Sequence, residues 1–274
     1  MTFMLVSGED KIANEWNKYQ GYTTRPLAST VSYYQKWIRN CSQDNPQGRF
    51  LLYGGTPEIR SIFQEQNIKL SIFDRSEEMV RAMGRLTCDG QPVSANEYFR
   101  PVDWIQMGEV KNTFNCLVGD DAINMIPWNR FDQFLRNAHE LLDQAGIFIC
   151  HLLIKPCDEL IDQNFFEVMK EYKQGRIKSH FDLASRLNFI CYNRNEYSMG
   201  WQQTINKIGV NKLQSLLPSF DFINLFGSCN SKFYCPPQHE FDKLLSNYFD
   251  IREIFYPDEH EYCLYEPVYV LKKN

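Results

Sequence analysis

The chain has 274 residues, 43% hydrophobic and 15% aromatic, with a formal net charge of −5. That length and apolar content allow a full core and exclude a disordered chain. With no basic tail or Lys/Arg block, nucleic acid is disfavoured as a partner, because its phosphates call for a positive footprint.

Apolar runs of strand length fall short of the roughly 20 residues that span a bilayer. The opening MTFMLVSGEDK has no basic n-region and too short an apolar stretch for a secretory signal. Nine cysteines lie scattered without a CxxC pair, as expected for reduced thiols in a cytoplasmic protein.

In chain order, residues 10–20 and 29–40 predict two short helices, the second capped by Ser29 or Thr30, packing across the mouth of a sheet. From residue 49 the pattern alternates: a strand near 49–53, a helix over 57–66, a strand near 69–73 and a helix from Ser76. A third strand is expected near 93–99 and a fourth near 113–118. A helix over 128–143 and a fifth strand over 147–154 follow. Continuous apolar strands separated by helices indicate a parallel sheet covered on both faces. Residues 158–248 read as mostly helical. The runs 248–257 and 261–273 then form a closing hairpin about Asp258-Glu259-His260.

The first strand feeds Gly54-Gly55, a helix opens at Pro57, and the second strand ends in Asp74, twenty positions after the first glycine. Glycines there let a ligand approach the backbone, and an acid after the second strand can accept from ribose hydroxyls. Glu58 sits in the first turn of that helix, where a dinucleotide would place pyrophosphate. Two negative groups would repel, which favours a nucleoside without phosphate. S-adenosylmethionine (SAM), a phosphate-free nucleoside with a cationic sulfonium, meets that condition.

Residues 49–154 with the terminal hairpin resemble the class I SAM-dependent methyltransferases, within them the subset whose first motif reads G-x-T-P-E. Leu52-Tyr53-Gly54-Gly55-Thr56-Pro57-Glu58 matches that motif, without the usual third glycine. Ile72-Phe73-Asp74-Arg75-Ser76 matches the second, with the acid that accepts from ribose. Pro101-Val102-Asp103-Trp104 matches the third, Asp103 receiving the adenine amino group beside Trp104. Leu117-Val118-Gly119-Asp120-Asp121-Ala122 matches the turn against the methionine moiety, and Asn124 follows where substrate is expected.

The resemblance implies a Rossmann-like, seven-stranded, mostly parallel α/β sheet with a C-terminal antiparallel hairpin and an α-helical cap. As one domain it divides into an N-terminal cap (1–45), a SAM-binding core (49–154), a helical substrate cap (155–248) and a closing hairpin (249–274). It implies methyl transfer from SAM to an O or N atom of a small molecule, with S-adenosylhomocysteine as product and no metal. The alternative is a SAM-binding scaffold that has lost transfer.

His151, in the fifth strand, is the candidate general base, against the more common role of a strand histidine in packing. Trp16, Tyr19 and Tyr22 are candidates to roof the acceptor pocket, with Arg25 gripping an anion. His180, Arg186, Tyr192, Tyr197 and Trp201 are candidate liners in the later helical region. The second histidine of a zinc-protease helix is missing after His139-Glu140, and Asn124-Met125-Ile126-Pro127-Trp128 only echoes the D/N-P-P-Y/F signature of amino-methyltransferases.

Overall fold

A computed structural model describes residues 25–107, 111–218 and 232–274. Its elements are α1 (Ala28–Asp44), β1 (Phe50–Tyr53), α2 (Pro57–Glu65), β2 (Leu70–Asp74), α3 (Glu77–Gly84), β3 (Glu97–Pro101), β4 (Phe114–Asp120), α4 (Phe131–Leu141) and β5 (Leu142–His151). There follow α5 (Asp158–Ile161), α6 (Phe165–Lys173), α7 (His180–Phe189), β6 (Ser198–Met199), α8 (Trp201–Ile208), α9 (Val210–Leu216), β7 (Phe233–Tyr234), α10 (Gln238–Leu245), β8 (Phe249–Phe255) and β9 (Val268–Lys273). None of the described helices is long and apolar enough to cross a membrane.

Seven strands form one sheet in the order β3-β2-β1-β4-β5-β9-β8. β1 to β5 are parallel, and β9 runs antiparallel between β5 and β8. All four residues of β1 are buried, and the period of two sends them to opposite faces. Phe50 and Leu52 join the core beneath α1 and α2, with Tyr34, Ile38, Ile59 and Phe63. Leu51 and Tyr53 join the core beneath α4 and α10, with Phe131, Phe134 and Phe241. A third cluster unites the end of α3 (Ala82, Met83) with Val168, Leu183, Leu187 and Leu213 of the later helices. Those helices therefore pack on the sheet's own elements.

Three expectations are corrected. The helix α1 lies on a face of the sheet, because Tyr33, Tyr34, Ile38 and Cys41 form an apolar stripe that meets β1 and α2. It begins at Ala28, and its first-turn amide at Ser29 is capped from outside by Glu259, which accepts from Ser29 N–H and Oγ–H, each at 2.6 Å. The helix expected over 128–143 begins at Phe131 after two short 3₁₀ turns, and the fifth strand starts at Leu142. β8 and β9 are joined by a long connection, not a tight turn: Tyr262, Cys263 and Tyr265 are apolar enough to bury in a 3₁₀ turn. The expected helix over 10–20 lies outside the described residues.

A buried ion pair fixes the β3 edge. Arg60 Nε donates to Glu97 Oε1 (2.9 Å) and Nη2 to Oε2 (2.6 Å), while the guanidinium also donates to the carbonyls of Val80 and Pro92. Both side chains are at most 1% exposed. Removing one partner strands the other charge, so Arg60→Ala is expected to lower stability by about 3–5 kcal/mol. Urea unfolding checks this, and a loss under about 1 kcal/mol would show that the pair does not hold α2, α3 and β3 together.

Candidate functional site

The sheet order reverses at β1, which has β2 on one side and β4 on the other. Open α/β sheets bind ligands at the carboxyl ends of the strands at such a point. β1 is followed by Gly54, whose φ of +89° is left-handed and suits glycine. A Cβ built there would lie 3.9 Å from Asp74 Oδ2, so the missing side chain keeps clear the space before that carboxylate. Gly55 is small for a different reason: α3 passes close by, with Val80 Cα 3.4 Å from where its Cβ would stand. Thr56 ends the turn at the head of α2 without a side-chain cap bond.

The Phe73 carbonyl accepts from Gly54 N–H at 3.0 Å and from Trp104 Nε1–H at 2.7 Å. One oxygen thereby ties the first turn and the loop after β3 to the end of β2. Asp74 Oδ1 accepts from Ser76 N–H (2.8 Å). Ser76 itself caps α3 by accepting from Met79 N–H (3.0 Å), so Asp74 is not needed as the cap. Burial raises the Asp74 pKa above the usual carboxylate value, against the bonds from the Ser76 and Arg75 amides. Asp103 Oδ1 accepts from Ile105 N–H (2.9 Å), and Asn137 donates to the carbonyls of Trp104 and Ile105. Trp104 stands edge-on to Tyr53, with ring centres 5.8 Å apart.

Asp74, Arg75, Ser76, Asp103 and Trp104 line one cavity of about 270 Å³. Met79, Ile105 and the stretch Met125–Pro127 complete it. These apolar liners are not among the residues the sequence singles out; the signal for Met125–Pro127 is their place in the loop after the fourth strand, where Asn124 is expected to meet substrate.

At the end of β4, Gly119 packs against the Phe148 ring and Ala122 is buried. Asp120 Oδ1 accepts from the Tyr34 hydroxyl (3.0 Å) and lies 3.1 Å from His151 Nδ1. Asp121, at a left-handed φ of +53°, brings its Oδ1 to 3.1 Å from the same nitrogen. Burial works against charge on the imidazole, but Asp121 and Asp120 outweigh it and hold the His151 pKa well above its ordinary value. Burial pushes Asp121 up to about 6, against the pull of His151. A general base must be neutral to accept a proton. His151, 3% exposed and held cationic, instead clamps the two aspartates.

The remaining candidates are placed elsewhere. Glu58 and Arg25 meet each other, Arg25 Nε donating to Glu58 Oε1, and line a separate cavity of about 380 Å³ with Gln35, Ser61 and Glu65. Asn124 is wholly buried: its amide donates to the carbonyls of Leu153 and Tyr234 and accepts from Leu153 N–H. It fastens the loop after β4 to the end of β5 and to β7. Arg186 bonds Tyr262, Glu171 and Gln163. Trp16, Tyr19 and Tyr22 lie outside the described residues.

No protein-family model and no curated protein sequence matches the chain. Solved structures do match. A Rhodobacter sphaeroides protein provisionally named a Zn-dependent alcohol dehydrogenase superposes with a TM-score of 0.58 at 12% identity, over 98% of this chain and 100% of that one. A SAM-dependent methyltransferase from Methanosarcina mazei gives 0.52 at 11% identity, over 86% of this chain and 96% of that one. The CurJ carbon methyltransferase gives 0.53 at 12%, over 98% of this chain and 60% of that one. The fold is that of the class I SAM-dependent methyltransferases. At these identities the likeness is one of fold. The sheet agrees with it: the dinucleotide order 3-2-1-4-5-6 has no strand corresponding to the antiparallel β9 between the fifth and sixth positions.

The raised pKa of His151 has a consequence for stability. A group whose folded pKa exceeds its unfolded value contributes fully below the unfolded pKa, near 6.5, and loses that contribution as pH rises through the folded one. The stability difference between the wild type and His151→Gln is therefore expected to shrink as pH rises through the folded pKa of His151. Urea unfolding across pH 5–9 measures this; a difference that grows with pH would contradict the imidazolium clamp.

Proposed function

We propose that this chain is a SAM-dependent methyltransferase acting on an O or N atom of a small molecule, with residues 155–248 as a cap over one catalytic unit. The observation that carries the proposal is the Asp74 carboxylate behind side-chain-free Gly54, on the same cavity as Asp103 and Trp104. The donor set fits the cofactor. Asp74 Oδ2 is an acceptor for ribose hydroxyls, Asp103 is an acceptor for an exocyclic amine, and Met79 and Ile126 offer apolar surface to a base. Asp120 and Asp121 with a single imidazolium leave the end of β4 net negative, which suits a cation. Bound SAM supplies a methyl group activated by a sulfonium.

The protein's part is to bind, orient and exclude water. Gly54 and Gly55 allow close approach, the Phe73 carbonyl fixes the Trp104 wall, and His151 holds Asp120 and Asp121 in place. Met125, 46% exposed at the cavity, stands where an acceptor would enter. The net charge of −5 supports a small-molecule acceptor over nucleic acid. Eight free thiols among the described residues support a reducing, cytoplasmic setting.

A second reading, SAM binding without turnover, is favoured by the burial of His151 between two aspartates. Calorimetry tests the cofactor: S-adenosylhomocysteine is expected to bind and NAD is not. Asp74→Ala is expected to weaken binding at least tenfold, since hydrogen bonds to a charged group are worth about 1.5–3 kcal/mol. Tight NAD binding with no response to S-adenosylhomocysteine would overturn the proposal. Binding of S-adenosylhomocysteine with no product formed from SAM across small hydroxyl and amine acceptors would leave the scaffold reading in its place.

A further inference from the structure

The long connection between β8 and β9 holds a side-chain cluster that the cofactor site does not use. His260, Cys263 and Glu266 each bring one ligand-capable atom to within 4.8 Å of the others. The spacing H-x-x-C-x-x-E explains why they meet. Cys263–Tyr265 is a 3₁₀ turn, and side chains three apart on that helix lie one above the other. Cys263 and Glu266 are 1% and 2% exposed, and the His260 side chain is 10% exposed. The Phe181 ring walls one side, with its centre 4.5 Å from that of His260.

Two details point to a missing ligand. His260 Nε2 is buried with no hydrogen-bond partner, and Glu266 Oε2 lies 3.6 Å from it, too far for a hydrogen bond. Two ligands each about 2.1 Å from one tetrahedral ion stand about 3.4 Å apart, close to this separation. Cys263 is a free thiol whose sulfur accepts from the His260 backbone N–H at 3.4 Å, a bond that a thiolate ligand can keep.

We propose that His260, Cys263 and Glu266 form a binding site for a divalent ion of the zinc type, with a further position left for water. A thiolate, an imidazole and a carboxylate suit such an ion and not the all-oxygen preference of calcium or magnesium. On binding, the Cys263 thiol proton leaves to solvent. Tyr262 N–H donates to His260 Nδ1 (3.2 Å), so the neutral ring carries its proton on Nε2. That proton moves to Nδ1, the Tyr262 contact opens, and Nε2 becomes the ligand. The connection is already tied to α1 through Glu259 and to α7 through Tyr262; the ion locks the segment between and beyond these ties.

The test uses the full-length protein stripped with a chelator and titrated with Zn²⁺ and with Co²⁺. One ion per chain is expected, with a cobalt–thiolate charge-transfer band and a higher melting temperature. Cys263→Ser should abolish the band, and Glu266→Gln and His260→Gln should weaken binding at least tenfold. The double variant C88S/C157S, which removes the two exposed thiols among the described residues, should keep both the band and the affinity. If Cys263→Ser does not fold, the His260 and Glu266 variants decide. A band that survives in Cys263→Ser, a band lost in C88S/C157S, unchanged affinity in the His260 and Glu266 variants, or no ion bound would overturn the proposal.

Discussion

The candidate site depends on one carbonyl oxygen. Phe73 O accepts both the Gly54 amide and the Trp104 indole, so the turn after β1 and the loop after β3 are registered against the end of β2. Asp74 is the next residue, and its direction follows from that arrangement. The left-handed Gly54 then matters: a side chain there would point at the Asp74 carboxylate. A backbone hydrogen bond thus sets the shape, a missing Cβ opens it, and a half-buried acid gives it chemistry.

A second network stabilises the neighbouring end of β4. Tyr34 from α1, Asp120 and Asp121 from β4 and His151 from β5 meet within hydrogen-bond or ion-pair distance. Two carboxylates side by side would repel, and the buried imidazolium makes their closeness tolerable. The same network connects α1 to the carboxyl end of the parallel strands. Asn124 adds a neutral brace by satisfying three backbone groups at the base of the loop that carries Met125–Pro127.

Much of this was legible because it is local. The strand runs, the Gly54-Gly55 turn, Asp74 and the Asp103-Trp104 pair follow one another at short spacing, and the cavity collects them. What was not legible depends on distant partners. Glu58 read as a bare negative charge at a helix N-terminus, and its exclusion of pyrophosphate assumed as much. Arg25, thirty-three positions away, pairs with it, so the case against a dinucleotide rests instead on the position of β9. His151 looked like a base because its apolar strand gave no hint of two aspartates across the β4–β5 register. The connection between β8 and β9 reads as a tight turn because alternating aromatics mimic a strand, while Tyr262 and Tyr265 bury in the core against Phe189.

The central claim, that the nucleoside sits between the turn at Gly54 and the acid at Asp74, is tested most directly by hydrogen exchange followed by mass spectrometry with and without S-adenosylhomocysteine. The account predicts slower exchange in the peptides covering residues 53–58, 74–79 and 102–106, with β8 unchanged. Protection confined to the cavity at Glu58 and Arg25, or protection nowhere along these three segments, would contradict it.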